Sequence, residues 1–139
     1  MPKNKAYVLL VEPKSKPRII QIEDDEQAIK SIVGGEIDRI KIPSDDVTIL
    51  FQKDAVKNGK MLNRVAIIKE NVPVVNQILA DNFIVAHTPK GENTLADITQ
   101  ELVDKYFKQF EKPDKFHRNK NGEIIVIGEK SNSEKAIER

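Results

Sequence analysis

The 139-residue chain has no cysteine and no tryptophan. Without cysteine there are no disulfides, no thiolate metal sites and no cysteine nucleophile. Glycine is scarce, six residues at positions 34, 35, 59, 91, 122 and 128, and their spacing matches neither a dinucleotide fingerprint nor a phosphate-binding P-loop. None of Ser15, Ser31, Ser44, Ser131 and Ser133 stands in a Gly-x-Ser-x-Gly elbow, so acyl transfer by an activated serine has no support. The two histidines, His87 and His117, form no recognisable metal spacing. The apolar run near the start, Ala6 to Val11, is only six residues long, too short for a signal peptide or for a bilayer span of about 20 residues. A cytoplasmic protein without membrane association is the expectation. The net charge of +1 gives no electrostatic reason for nonspecific nucleic-acid binding.

Aliphatic patterning dominates a chain with only five phenylalanines and two tyrosines. AYVLLVE (6–12) and RIIQIE (18–23) read as two strands joined by a turn with a proline at each end. Asp24 and Gln27 suggest a capping box before Ala28, Ile29, Ile32 and Val33, which recur at helical spacing. The helix meets Gly34 and Gly35. One of them can end it in the left-handed conformation, and the pair can also let a ligand or another backbone approach closely.

EIDRIKI (36–42) and DVTILFQ (46–52) read as a hairpin, with Val47, Ile49 and Phe51 on one face and Leu50 on the other. Residues 61–80 mix strand and helix spacing around Pro73, and read as a buried strand or a short helical turn. NFIV (82–85) lies in a compact strand, and residues 95–111 read as an amphipathic helix capped by Thr94 and Asp97. Its aromatic stripe, Tyr106 and Phe110, reads as core packing. The pattern predicts an α+β fold, a small and mostly antiparallel sheet with two helices packed on one face. A single domain over 1–112 is expected, then a C-terminal extension over 113–139 with an edge strand at 123–127 and a flexible tail.

Acidic pairs such as Asp24-Asp25 and Asp45-Asp46 sit where carboxylates cap helices and turns. One cationic segment suggests a ligand site. Lys53, Lys57, Lys60 and Arg64 gather around Asn58-Gly59 and Asn63, and a loop of cations and exposed amides can hold an anion. Asn63 and Arg64 also interrupt the apolar run Met61 to Ile68. The candidate ligand-binding set is therefore Gly34, Gly35, Lys60, Asn63 and Arg64, with no catalytic residue, metal or cofactor implied.

VLLVEP (8–13), VGGEI (33–37), NGK with NR (58–60 and 63–64), NFIV (82–85) and DKYFKQF (104–110) together resemble a family of small phage and mobile-element proteins, domain of unknown function 3846. The resemblance covers roughly residues 5–112. Its members usually carry glycine where this chain has Asp81. The resemblance implies no enzymatic activity, and its phage and mobile-element setting implies a host-facing role, such as antagonism of host defence.

Three readings follow. The first is a non-catalytic binding module that sequesters a small anionic, nucleotide-like ligand or inhibits a host defence protein. The second is a protein–protein adaptor acting through the acidic segment 23–54, which holds nine anionic and four cationic residues, or through the C-terminal tail; self-association is open in either case. The third is a cryptic nucleotide hydrolase, for which no nucleophile has a visible base.

Overall fold

The computed structural model describes residues 4–68, 75–90 and 94–127. Strands β1 (Lys5–Val11) and β2 (Arg18–Glu23) pair antiparallel, as the sequence pattern predicts. Helix α1 (Glu26–Val33) follows. Asp25, not Asp24, caps it, its side chain accepting the Gln27 amide at 3.2 Å. Asp24 instead accepts the amide of Leu95 at 3.0 Å. Strands β3 (Ile37–Ile42) and β4 (Val47–Gln52) form the expected hairpin across a 3₁₀ turn at Pro43–Asp45.

The ambiguous stretch 61–80 contains two strands, β5 (Leu62–Ile68) and β6 (Val75–Ala80), paired antiparallel; Pro73 lies outside the described residues. Strand β7 (Phe83–His87) then enters the centre of a five-stranded antiparallel sheet of order β2-β1-β7-β4-β3.

The two helices do not share a face. Val8 and Leu10 of β1 pack with Ile29 and Val33 of α1, whereas Leu9 and Val11 pack with residues of helix α2 (Gln100–Phe110). Successive strand residues point to opposite faces, so these two sets lie on opposite sides of the sheet. The sequence expectation missed this because β7 is apolar in both phases and β4 buries Leu50 opposite Val47, Ile49 and Phe51, which period-two patterning leaves undecided. Every residue of β4 is buried, as is fitting for a strand covered on both sides. Ala66 and Leu79 bring the β5–β6 hairpin onto the α2 side, where Phe83 meets Phe110 edge-on with ring centroids 5.1 Å apart.

α2 begins later than the sequence pattern suggests. Thr99 is its cap, accepting the Leu102 amide at 3.2 Å. Residues 95–98 are extended: Ala96 bridges His87, and the Ile98 amide donates to the Tyr7 carbonyl at 3.0 Å. Asp97 accepts the Tyr7 amide at 2.9 Å instead of closing a capping box. Leu95 packs on the α1 side and Ile98 on the α2 side, so this segment carries the chain from one face to the other. Beyond α2, β8 (Lys115–Arg118) pairs with β9 (Ile124–Ile127), so the expected apolar strand at 123–127 belongs to a separate two-stranded hairpin. The expected tail beyond residue 127 lies outside the described residues.

Candidate functional site

The residues singled out by sequence fall into three environments. Lys60 is exposed on the turn-rich segment 53–60, which closes on itself through the Lys60 amide and the Ala55 carbonyl at 3.0 Å. Arg64 is fully buried, with 0% exposure. Its Nε donates to the Phe110 carbonyl at 2.9 Å. Its terminal nitrogens donate to the carbonyls of Glu12 at 3.4 Å and Ser15 at 2.5 Å and to Oδ1 of Asn63 at 2.6 Å. Asn63 in turn donates to the carbonyls of Val11 at 3.0 Å and Asp81 at 2.7 Å. This pair ties the β1–β2 turn, the approach to β7 and the C-terminal end of α2 to β5.

Two adjacent strand residues cannot ordinarily both face inward. The pairing of β5 with β6 shifts register between Leu62 and Arg64, and such a bulge re-aims side chains and lets both point into the protein. Burial pushes the Arg64 guanidinium's pKa down, and the nearby Asp114 carboxylate counters that shift. With Nε and both terminal nitrogens bonded to chain acceptors, the guanidinium acts as an internal clamp and does not stand at the rim of a cleft.

The paired glycines form the third environment. Gly34 takes φ +96° and caps α1 by donating to the Lys30 carbonyl at 2.8 Å. Gly35 admits Gln52: a Cβ there would lie 2.7 Å from Nε2 of that side chain, which donates to the Gly34 carbonyl at 2.6 Å. The close approach is therefore to a neighbouring side chain of the same fold. Asp81 joins the glycine bend to the clamp, since its carboxylate lies by Gly34 and its carbonyl accepts from Asn63.

A cavity of ligand size lies elsewhere, on the α1 side of the sheet. There Ile29 of α1 and Leu95 face β3, the Pro43–Asp46 turn and the segment after β7 across an open space. A groove of about 430 Å³ occupies that space. Arg39 and Lys41, two residues apart on edge strand β3, share its wall and sit in register opposite Leu50 and Thr48. Thr48 and Thr88 join their hydroxyls at 2.8 Å, and Lys90 follows on the facing segment. Leu95, Pro43 and Pro89 supply apolar lining, with Ile29 and Leu50 at the base.

Arg39, Lys41 and Lys90 are exposed, and among the described residues none of them is ion-paired. Two carboxylates, Asp24 and Asp46, also line the groove. Asp24 is engaged by the Leu95 amide, and the Asp46 carbonyl accepts from the His87 Nδ1 at 2.9 Å and the Thr88 amide at 2.7 Å. Those bonds hold the 3₁₀ turn and the segment after β7 as fixed walls. Sequence reasoning missed this set, although Arg39-x-Lys41 in phase with Ile37 was a usable signal for one cationic strand face.

Among the described residues no group of histidine, aspartate or glutamate is placed to hold a metal ion, and no helix is long and apolar enough to cross a membrane.

The family model described as "Domain of unknown function (DUF3846)" matches residues 4–111. The chain belongs to the DUF3846 family. The DUF3846 match spans the five-stranded sheet, the clamp and the groove, and it stops before the β8–β9 hairpin. Asp81, where the resemblance places glycine, takes φ +62°, a left-handed conformation in which glycine carries no Cβ penalty. Comparison with curated proteins returns no match, and comparison with solved structures returns none.

Proposed function

We propose that this DUF3846 protein is a non-catalytic binding module for a small anionic ligand, held in the groove on the α1 side of the sheet. The observation that carries the reading is the cationic wall of Arg39, Lys41 and Lys90, without ion pairs among the described residues, beside a cavity of about 430 Å³. That size falls in the range of small-molecule sites, roughly 300–1,000 Å³. The walls are pre-formed by the Asp24, Asp46 and Thr48 hydrogen bonds, which reduces the ordering cost on binding. A setting in phage or mobile elements, with a host defence factor as the process opposed, belongs to this proposal on the family resemblance alone.

A thermal-shift titration with inorganic phosphate tests the reading. Stabilisation of the unmodified protein, lost in Lys41→Glu with its own melting temperature unchanged, is expected; equal stabilisation of both proteins would contradict it. A second reading, a protein–protein adaptor, rests on the β8–β9 hairpin. Ile125, Val126 and Ile127 are 47%, 39% and 49% exposed there, on a two-stranded ribbon of a kind that is marginal alone in water.

A further inference from the structure

Resting on the groove reading, we propose a narrower ligand class: an amphiphile with one phosphate or carboxylate head and a compact apolar body, as distinct from a polyphosphate or other multiply charged anion. The charge in the groove sets the upper limit. Three cations, Arg39, Lys41 and Lys90, share the lining with two carboxylates, Asp24 and Asp46. The local balance is close to a single positive charge, which suits one compact anionic head. A second or third phosphate would meet Asp46 or Asp24, and like charges brought together in a cleft discriminate against such a ligand.

The lining also combines both chemistries. Arg39 and Lys41 stand on the outer strand, with Lys41 opposite Thr48, whose hydroxyl is already paired with that of Thr88. Two cations and two hydroxyls therefore share the groove lining, and guanidinium and ammonium donors bond strongly to an anionic head. The same lining offers a compact body Leu95, Pro43 and Pro89, with the buried side chains of Ile29 and Leu50. Burial of a small apolar group there adds affinity that inorganic phosphate cannot gain.

The test uses the full chain and four probes: 1-naphthyl phosphate, inorganic phosphate, inorganic tripolyphosphate and neutral 2-naphthol, each titrated calorimetrically into the unmodified protein, Lys41→Glu, Arg39→Glu and Leu95→Ser. 1-Naphthyl phosphate is expected to bind at one site at least about tenfold more tightly than inorganic phosphate, tripolyphosphate or 2-naphthol. Each charge reversal should weaken it by at least about tenfold. Leu95→Ser should weaken 1-naphthyl phosphate and leave inorganic phosphate unchanged. Tripolyphosphate binding more tightly than 1-naphthyl phosphate, while still weakened by Lys41→Glu, would overturn the amphiphile and leave the groove in place. So would 2-naphthol binding as well as 1-naphthyl phosphate. Anion binding that neither charge reversal affects, or no binding of any anionic probe, would overturn the groove itself. Both replaced cations are exposed on a strand edge, so folding of the variants is checked by their melting temperatures alone.

Discussion

Arg64 shows how an isolated charge becomes part of a core. Its burial is offset by carbonyl acceptors from Phe110, Glu12 and Ser15 and by the Asn63 side chain, since a buried cation is tolerated only when its donors are satisfied. Removing it leaves those acceptors without their donor. Arg64→Ala should therefore destabilise the protein by about 3–5 kcal/mol, read by denaturant unfolding; a loss below about 1 kcal/mol, the scale of an exposed pair, would mean that the clamp is not needed. Gly34 is constrained for another reason. A Cβ at φ +96° would be strained and would lie 3.0 Å from Asp81 Oδ2. Gly34→Ala should cost about 1–2 kcal/mol, and unchanged stability would show that the bend relaxes. The paired glycines were legible in the sequence as a helix stop. The partner of Gly35 was not, because Gln52 is distant along the chain and its approach depends on the β3–β4 register.

At the scale of elements, the 3₁₀ turn between β3 and β4 is tied to α2. Asp45 accepts Tyr106 Oη–H at 2.6 Å and Lys105 Nζ at 2.7 Å. Burial alone would raise the Asp45 carboxyl, and the bonds from Lys105 and Tyr106 outweigh it, so its pKa lies below the ordinary carboxylate value. A depressed carboxylate pKa adds stability above the unfolded value of about 3.9 that is lost as pH falls through the folded value. Tyr106→Phe should raise the Asp45 pKa, followed by NMR titration of the side-chain carboxyl; an unmoved midpoint would remove Tyr106 from the account. The C-terminal hairpin is attached through Asp114, whose carboxylate accepts the Val65 amide at 2.8 Å. A chain ending at Asp114 should keep its melting temperature within a few degrees, whereas ending at Lys112 should lower stability by about 1–3 kcal/mol. Equal stability of the two truncations would contradict that anchoring. The start of α2 was misread because Leu95 and Ile98 fit a helical stripe, yet they serve opposite faces of the sheet from an extended segment. The bulge at Asn63 had no signal at all, since nothing in Leu-Asn-Arg-Val states which residue its partner strand will skip.

For the whole molecule, the alternating aliphatic segments made the strands legible, and the residual ambiguity lay in how the layers assemble. β4 and β7 are covered on both sides, and no local pattern decides which helix takes which side. The same limit explains the site. Summed along the chain, residues 23–54 are acidic, yet folding gathers Arg39 and Lys41 with Lys90 on one groove and turns Asp38 to the opposite face. Charge counted by sequence segment and charge counted by surface thus differ in sign here. The reverse happened to Arg64, which reads as an anion ligand in the chain and is enclosed in the fold.

The most direct test of where the ligand sits is an amide NMR titration of the full chain with inorganic phosphate. The account predicts progressive, saturable shifts at Arg39, Lys41, Thr48 and Thr88, with Gly34, Asn63 and Arg64 unmoved. Shifts confined to Gly34, Gly35, Asn63 and Arg64, with the groove silent, would contradict it.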